Sequence, residues 1–217
     1  MEWKYPTKFS DRWGGEVTTM YNDGATLSVV VRGVQFSGED FDMLKPEPQT
    51  PNALLDKFTL NRGRLCGCTF DIEIETLVLA RDKEQRGILA ADLELGQPTH
   101  SGGIDPESLR LSLRVDGNAY SSDGTTGWFE GELLSLQRAL PVGMALKTCF
   151  TCAYSDYSPY GHGLFGGMAC FRSFKAEYSR VQSKDDLFPL LDKADRVQET
   201  YLCADFDIRK PHTGYRG

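Results

Sequence analysis

Apolar and polar residues alternate with a period of two through much of the first half of the chain. Leu27, Val29 and Val31 form one such run, and Leu109, Leu111, Leu113 and Val115 form another. Ile72 and Ile74 alternate within a longer apolar stretch that reaches Leu79. This period puts one side of a strand in a core and the other in water. Ile88 to Leu95, between Gly87 and Gly96, is also β-compatible and reads as a further strand. Asn22-Asp23-Gly24, Asp116-Gly117 and Asp123-Gly124 fall between the runs, where glycine supplies the positive φ of a tight hairpin. Together they predict an antiparallel meander or sandwich. Residues 39–57, with Pro46, Pro48 and Pro51, read as a long surface loop.

The period changes after residue 126. Phe129, Leu133, Leu136 and Leu140 make one helical stripe that Pro141 stops. Met144 to Cys152 then reads as a strand, residues 153–168 as a Gly/Tyr/Ser/Pro loop, and Gln198 to Phe206 as a last strand. Ser183 with Asp186 forms a capping-box-like start to a short helix ending near Asp192. The predicted class is α+β and β-rich. An antiparallel β domain over residues 1–125 is followed by a helix and a cysteine-clasped, zinc knuckle-like region over 126–217, the two packed as a single unit.

Composition adds a charge asymmetry. The 217 residues carry a formal net charge of -7. Residues 1–125 hold 13 Lys/Arg against 20 Asp/Glu, whereas residues 126–217 hold 11 of each. An acidic first half repels nucleic acid and anionic membranes and attracts a basic protein. The start, Met1-Glu2-Trp3-Lys4-Tyr5-Pro6, has no apolar run of the secretory kind, and no segment reaches the ~20 apolar residues of a membrane helix. A cytoplasmic setting follows as the expectation, in which six cysteines read as metal ligands, catalytic groups or core residues before disulfides.

Four of them, Cys149, Cys152, Cys170 and Cys203, carry the most specific chemistry in the chain. A C-x-x-C pair lets two thiolates reach one Zn²⁺ about 2.3 Å away, and four thiolates make a closed structural shell. Cys170 is the third ligand and Cys203, from a separate strand, the fourth, with His162 competing for that last place because imidazole suits zinc equally well. A redox C-x-x-C belongs at a helix N-terminus, and this pair sits in a β-like run. Cys66 and Cys68 flank Gly67 as core residues.

Catalytic signatures are missing. Gly161-His162-Gly163-Leu164-Phe165-Gly166 spells a dinucleotide fingerprint, but it does not follow a strand or open a helix. P-loop, H-E-x-x-H, G-x-S-x-G and zinc deaminase patterns do not occur. Asp71, Glu73 and Glu75 fall on the wet side of a strand and read as a solvated face. The run Tyr154 to Tyr160 is a better candidate, since tyrosine gives rigid amphipathic contact area at low entropic cost. Tyr154, Asp156, Tyr157, Tyr160 and His162 are the expected binding residues, set on the loop that the cysteines would clasp.

Cys149-Phe150-Thr151-Cys152-Ala153-Tyr154-Ser155-Asp156-Tyr157-Ser158-Pro159-Tyr160-Gly161, then Phe165-Gly166, Cys170-Phe171, Tyr201-Leu202-Cys203 and Gly214-Tyr215-Arg216-Gly217, resemble an uncharacterised bacterial protein family. The resemblance implies a cytosolic bacterial protein with a cysteine cluster that includes Cys203, and transfers no activity. The expectation is a non-enzymatic binding protein, specifically an immunity protein that neutralises a basic toxin domain by direct contact. A metal-dependent or ligand-handling enzyme around His162 and Asp156, and a structural module of a larger assembly, are the alternatives.

Overall fold

The alternation seen in the sequence becomes one large antiparallel sheet with a buried and an open side. The computed structural model describes residues 2–81, 83–157, 164–211, 213 and 214. In chain order the strands are β1 (Trp3–Asp11), β2 (Gly14–Asn22), β3 (Leu27–Val31), β4 (Val34–Gly38), β5 (Lys45–Pro46), β6 (Thr59–Asn61), β7 (Arg64–Cys66) and β8 (Cys68–Ala80). There follow β9 (Lys83–Pro98), β10 (Ile104–Val115), β11 (Asn118–Ser121), β12 (Met144–Leu146), β13 (Ser155–Tyr157), β14 (Met168–Cys170) and β15 (Asp195–Val197). Helices are α1 (Asn52–Leu55), α2 (Phe129–Ala139), α3 (Lys175–Tyr178) and α4 (Lys184–Leu191).

The main sheet runs in the order β11, β10, β9, β8, β1, β2, β3, β4, β5. Two of its hairpins turn on a pair of left-handed residues, Arg32-Gly33 (φ 47 and 76) and Asp116-Gly117 (φ 49 and 73). Two consecutive positive φ values give the turn whose twist matches that of paired strands. Phe70, Ile72 and Ile74 of β8, Leu89, Ala91 and Leu93 of β9, and Leu109, Leu111 and Leu113 of β10 all point to the covered side. There α2 inserts Phe129, Leu133 and Leu136, the predicted stripe. The capping box of α4 is present as read, with Ser183 and Asp186 satisfying each other's backbone amides.

β8 is shared along its length. On the side away from β9, β1 pairs with it from Thr7↔Ile72 to Asp11↔Cys68, and β12 takes over at Val78–Ala80. Between them, residues 198–202 return to the gap and form the wall of a cleft of about 400 Å³ with Trp3, Tyr5 and Ile74. Tyr201 meets Trp3 edge to face at 5.4 Å. The last part of the chain thus closes the first. Tyr157, Leu164, Phe165, Met168 and Val197 join the same buried cluster as the sheet, while Phe171, Tyr178, Val181, Leu187 and Leu190 form a second, smaller one.

Three expectations are corrected. Residues 39–57 are not a surface loop throughout: they include β5 and α1, and Phe41 and Leu44 are fully buried. Met144 to Cys152 is a strand only as far as Leu146. The chain then forms a short 3₁₀ turn at Cys149–Thr151, because the Cys149 and Phe150 amides donate to Tyr201 and Glu199 carbonyls rather than to a neighbouring strand. Residues 198–206 are irregular for the same reason, and the last strand among the described residues is β15, just before them.

Candidate functional site

The outward side of β8, β9 and β10 carries both signs of charge, with Arg110 and Arg114 on β10, Arg110 opposite Asp92 and Lys8 of β1 opposite Asp71. Asp71, Glu73 and Glu75 project from β8, and Asp92 and Glu94 from β9. Asp71 and Asp92 stand directly opposite each other in the ladder. Like charges in that relation destabilise a sheet. Burial pushes the Asp92 carboxyl up, the Asp71 charge pushes it the same way, and a hydrogen bond joins the two, while Arg110 and Arg114 pull it down. Arg114 is committed to Glu73 at 2.6 Å. At the end of this face a groove of about 580 Å³ lies between Glu75 and Arg114, with Leu77, Ile88, Ala119 and Leu202 in its lining.

The four C-terminal cysteines occupy one neighbourhood. The 3₁₀ turn links Cys149 to Cys152, with the Cys152 amide 3.1 Å from the Cys149 carbonyl. The Ser155 hydroxyl lies against the carbonyls of both, and Ser155 faces Cys170 across β13 and β14. Cys149 donates its amide to Tyr201, two residues before Cys203. Cys149, Cys152 and Cys170 are buried and Cys203 is half-buried. Burial pushes the Cys149 thiol up, and the nearby Cys170, Cys152 and Cys203 push it further, with Arg172 opposing. A thiol raised in this way is not the activated nucleophile of a redox C-x-x-C. Among the described residues, no group of three or more His, Cys, Asp or Glu side chains is disposed to hold a metal ion as it stands.

A second buried polar cluster joins the C-terminal return to the sheet. Glu199 is fully buried and accepts the amides of Gly166 at 2.7 Å and Gly167 at 3.2 Å. Asp40 accepts the Phe165 and Phe41 amides; burial, then the negative charge of Asp42 and, more weakly, that of Glu199, pushes its carboxyl up to about 7. Asn22 bonds both Tyr5 at 2.8 Å and Gln198, and Thr200 bonds Tyr5. Sequence patterning assigned none of these residues a role, because Asn22 reads as a turn residue and Asp40 as part of a loop.

A family profile matches residues 3–155, more than half of the chain. The chain belongs to DUF6304, a family of unknown function. No curated protein and no solved structure matches it. The segment shared with DUF6304 contains the whole main sheet, α2, the acidic face, and Cys149, Cys152 and Ser155. Cys170, Glu199 and Cys203 lie beyond it.

The expected binding residues divide. Tyr160 and His162 lie outside the described residues, as do Gly161 and Gly163 of the fingerprint-like run. Tyr154 is half-buried, with Lys175 4.7 Å over its ring and its hydroxyl 3.5 Å from Asp207. Asp156 and Tyr157 are buried, which removes both from any displayed surface. Asp156 accepts from the Tyr178 hydroxyl at 2.8 Å, and Arg209 donates to that hydroxyl at 3.1 Å. The Tyr157 ring enters the core with its hydroxyl close to Glu199. Asp156 and Tyr157 therefore work as internal scaffolding.

No helix among the described residues is long and apolar enough to cross a membrane.

Proposed function

We propose that this protein is a non-enzymatic binding protein of bacteria that uses the outward side of β8–β10 to occlude a basic protein, and that it serves in the cytoplasm as the immunity partner of a toxin domain. The observation that carries the reading is the Asp71–Asp92 pair. Two carboxylates facing each other across a ladder repel, and Lys8 opposite Asp71 and Arg110 opposite Asp92 offset this only in part, since the Asp92 carboxyl stays raised. A lysine or arginine from a partner, placed between them, converts that repulsion into two charge-assisted hydrogen bonds. Glu73, Glu75 and Glu94 extend the negative field along the same strands, which speeds encounter with a basic surface. The groove beside Leu77 and Ile88 suits an apolar anchor from that partner.

The test uses the product of the gene next to that of this protein, purified as its C-terminal domain. Binding is measured by calorimetry at low and at physiological salt, with growth rescue on co-expression as the second readout. Wild-type protein is expected to bind, to bind less tightly as salt rises, and to restore growth. Asp71→Lys combined with Asp92→Lys should weaken binding at least tenfold and abolish rescue. An adjacent gene for a metabolic enzyme, or a charge-reversed variant that binds and rescues like wild type, overturns the reading.

A further inference from the structure

We infer that Cys149, Cys152, Cys170 and Cys203 bind one structural Zn²⁺ ion, which ties the C-terminal return to the turn that follows β12.

The placement of the backbones supports it. Three of the four cysteines surround one residue: the Cys149 and Cys152 carbonyls meet the Ser155 hydroxyl, and Cys170 is the ladder partner of Ser155. The fourth is carried to the same place by the bond from the Cys149 amide to the Tyr201 carbonyl, two residues before Cys203. The Cys152↔Ile208 bridge and the 2.7 Å bond from the Ala153 amide to Asp207 hold the far side of the Cys203 segment. Two residues between Cys149 and Cys152 suit a shared ion, and such sites recruit further thiolates from separate elements. The backbones are gathered but the side chains do not form a closed set as they stand, so the ion would have to draw the four sulfurs together.

Arg172 is the second observation that points to bound thiolates. Its backbone amide and positive charge lie near the Cys170 sulfur. Its guanidinium reaches Cys203 and Tyr201 and is anchored at 3.0 Å by Asp195. A neutral thiol is a poor acceptor, whereas a metal-bound thiolate is a good one, and such outer contacts orient ligands and tune the ion. Zn²⁺ with four thiolates carries a net charge of -2, and Arg172 supplies a compensating positive charge beside two of the four sulfurs. Binding replaces four S–H bonds by four Zn–S bonds and releases four protons to solvent, with no oxidant or reductant involved. The site is closed, so its role is to hold the chain and not to activate water.

The experiment uses the full-length protein purified without chelator from cells grown in zinc-containing medium. Elemental analysis is expected to give about one zinc per chain, released when a mercurial reagent modifies the thiols. Refolding with Co²⁺ should produce the intense visible bands of a tetrahedral cobalt thiolate. Cys170→Ser and Cys203→Ser should each lose stoichiometric zinc, while Cys68→Ser, a core cysteine outside the cluster, keeps it. Should a cluster variant fail to fold, the wild-type cobalt spectrum decides. Folded wild-type protein with no zinc and no cobalt bands overturns the site, and full zinc retention by Cys203→Ser overturns the assignment of Cys203. Neither outcome bears on the acidic face, whose partner assay is independent of the metal.

Discussion

Asp40 and Glu199 hold consecutive backbone amides of a single turn, Asp40 taking Phe165 and Glu199 taking Gly166 and Gly167. One acid follows the fourth strand and the other belongs to the C-terminal return, so the turn at residues 164–167 is fixed from both halves of the chain. Glu199 is likewise pushed up by burial, against the pull of its two amide donors.

The first prediction concerns pH. Asp40 has a folded pKa near 7, above the ordinary unfolded value of about 3.9. A raised carboxyl binds its proton more tightly in the folded state. Its contribution is therefore complete below about pH 4 and is lost as pH rises through 7. Urea midpoints should fall between pH 5 and 8. Asp40→Asn should flatten that dependence and exceed wild type at pH 8 by on the order of 1–2 kcal/mol. An unchanged slope in the variant would place the titration elsewhere.

Glu132 behaves with the opposite sign. It is buried in the first turn of α2 and accepts the Gly124 amide at 2.8 Å, the Thr126 amide at 2.8 Å and the Thr126 hydroxyl at 2.6 Å. Burial pulls its carboxyl up, but the hydrogen bonds from Ser122, Thr126 and Gly124 outweigh burial and leave it below the ordinary range. Its contribution is present above about pH 4.3 and fades as pH falls through the lower folded value. Glu132→Gln should cost roughly 1–3 kcal/mol at pH 7, with the deficit narrowing below pH 4 in parallel denaturation curves.

Tyr178→Phe tests the scaffold around Asp156. The hydroxyl is the group through which Asp156 and Arg209 meet, and it also lies 3.3 Å from the Ser155 carbonyl. Removing it leaves a buried carboxylate short of a donor, at a cost of roughly 1–3 kcal/mol. Thermal unfolding should show a drop of about 2–4 °C per kcal/mol for a chain of this size. A melting temperature equal to wild type would mean that the Tyr178 hydroxyl is dispensable to Asp156, which also accepts the Tyr157 amide at 3.0 Å.

Asp92→Asn separates stability from binding. Relief of the repulsion with Asp71 should stabilise the free protein by a few tenths of a kcal/mol, at the low end of cross-strand pair energies because both groups meet solvent. Under the proposed function the same change slows association with a basic partner. Stopped-flow association rates together with urea curves would show a more stable but slower-binding variant, and a faster-binding one would contradict the role of the pair.

The sheet and α2 were legible because their residues obey a rule of local spacing. Leu109 to Val115 alternate since one side of β10 is wet, and Phe129 to Leu136 repeat at helical spacing since one side of α2 meets that sheet. Cys149 and Phe150 obeyed no such rule. They stand in an apolar run that reads as a strand, but Tyr201 and Glu199, some fifty residues away, decide where their amides bond. Asp156 and Tyr157 look displayed by composition and are buried because Tyr178 and Glu199 supply polar partners inside the core. Asp40 sits in a proline-rich stretch whose sequence gives no sign of the buried turn that it holds. The acidity of Asp71, Glu73 and Glu75 was legible as a wet strand face, whereas the opposition of Asp71 to Asp92 requires the register of two strands.

The edge of β8 left between β1 and β12, beside which residues 198–202 come to lie, imposes an order of events on the newborn chain. When synthesis has just passed β9, nothing yet stands beside the stretch near Ile74, and the segment that will line it is still about a hundred residues from being made. Contacts of such long sequence separation form slowly, and an uncovered strand edge recruits other chains meanwhile. Quality control in the cell thus meets a molecule whose weakest moment comes before its final fifth emerges from the ribosome.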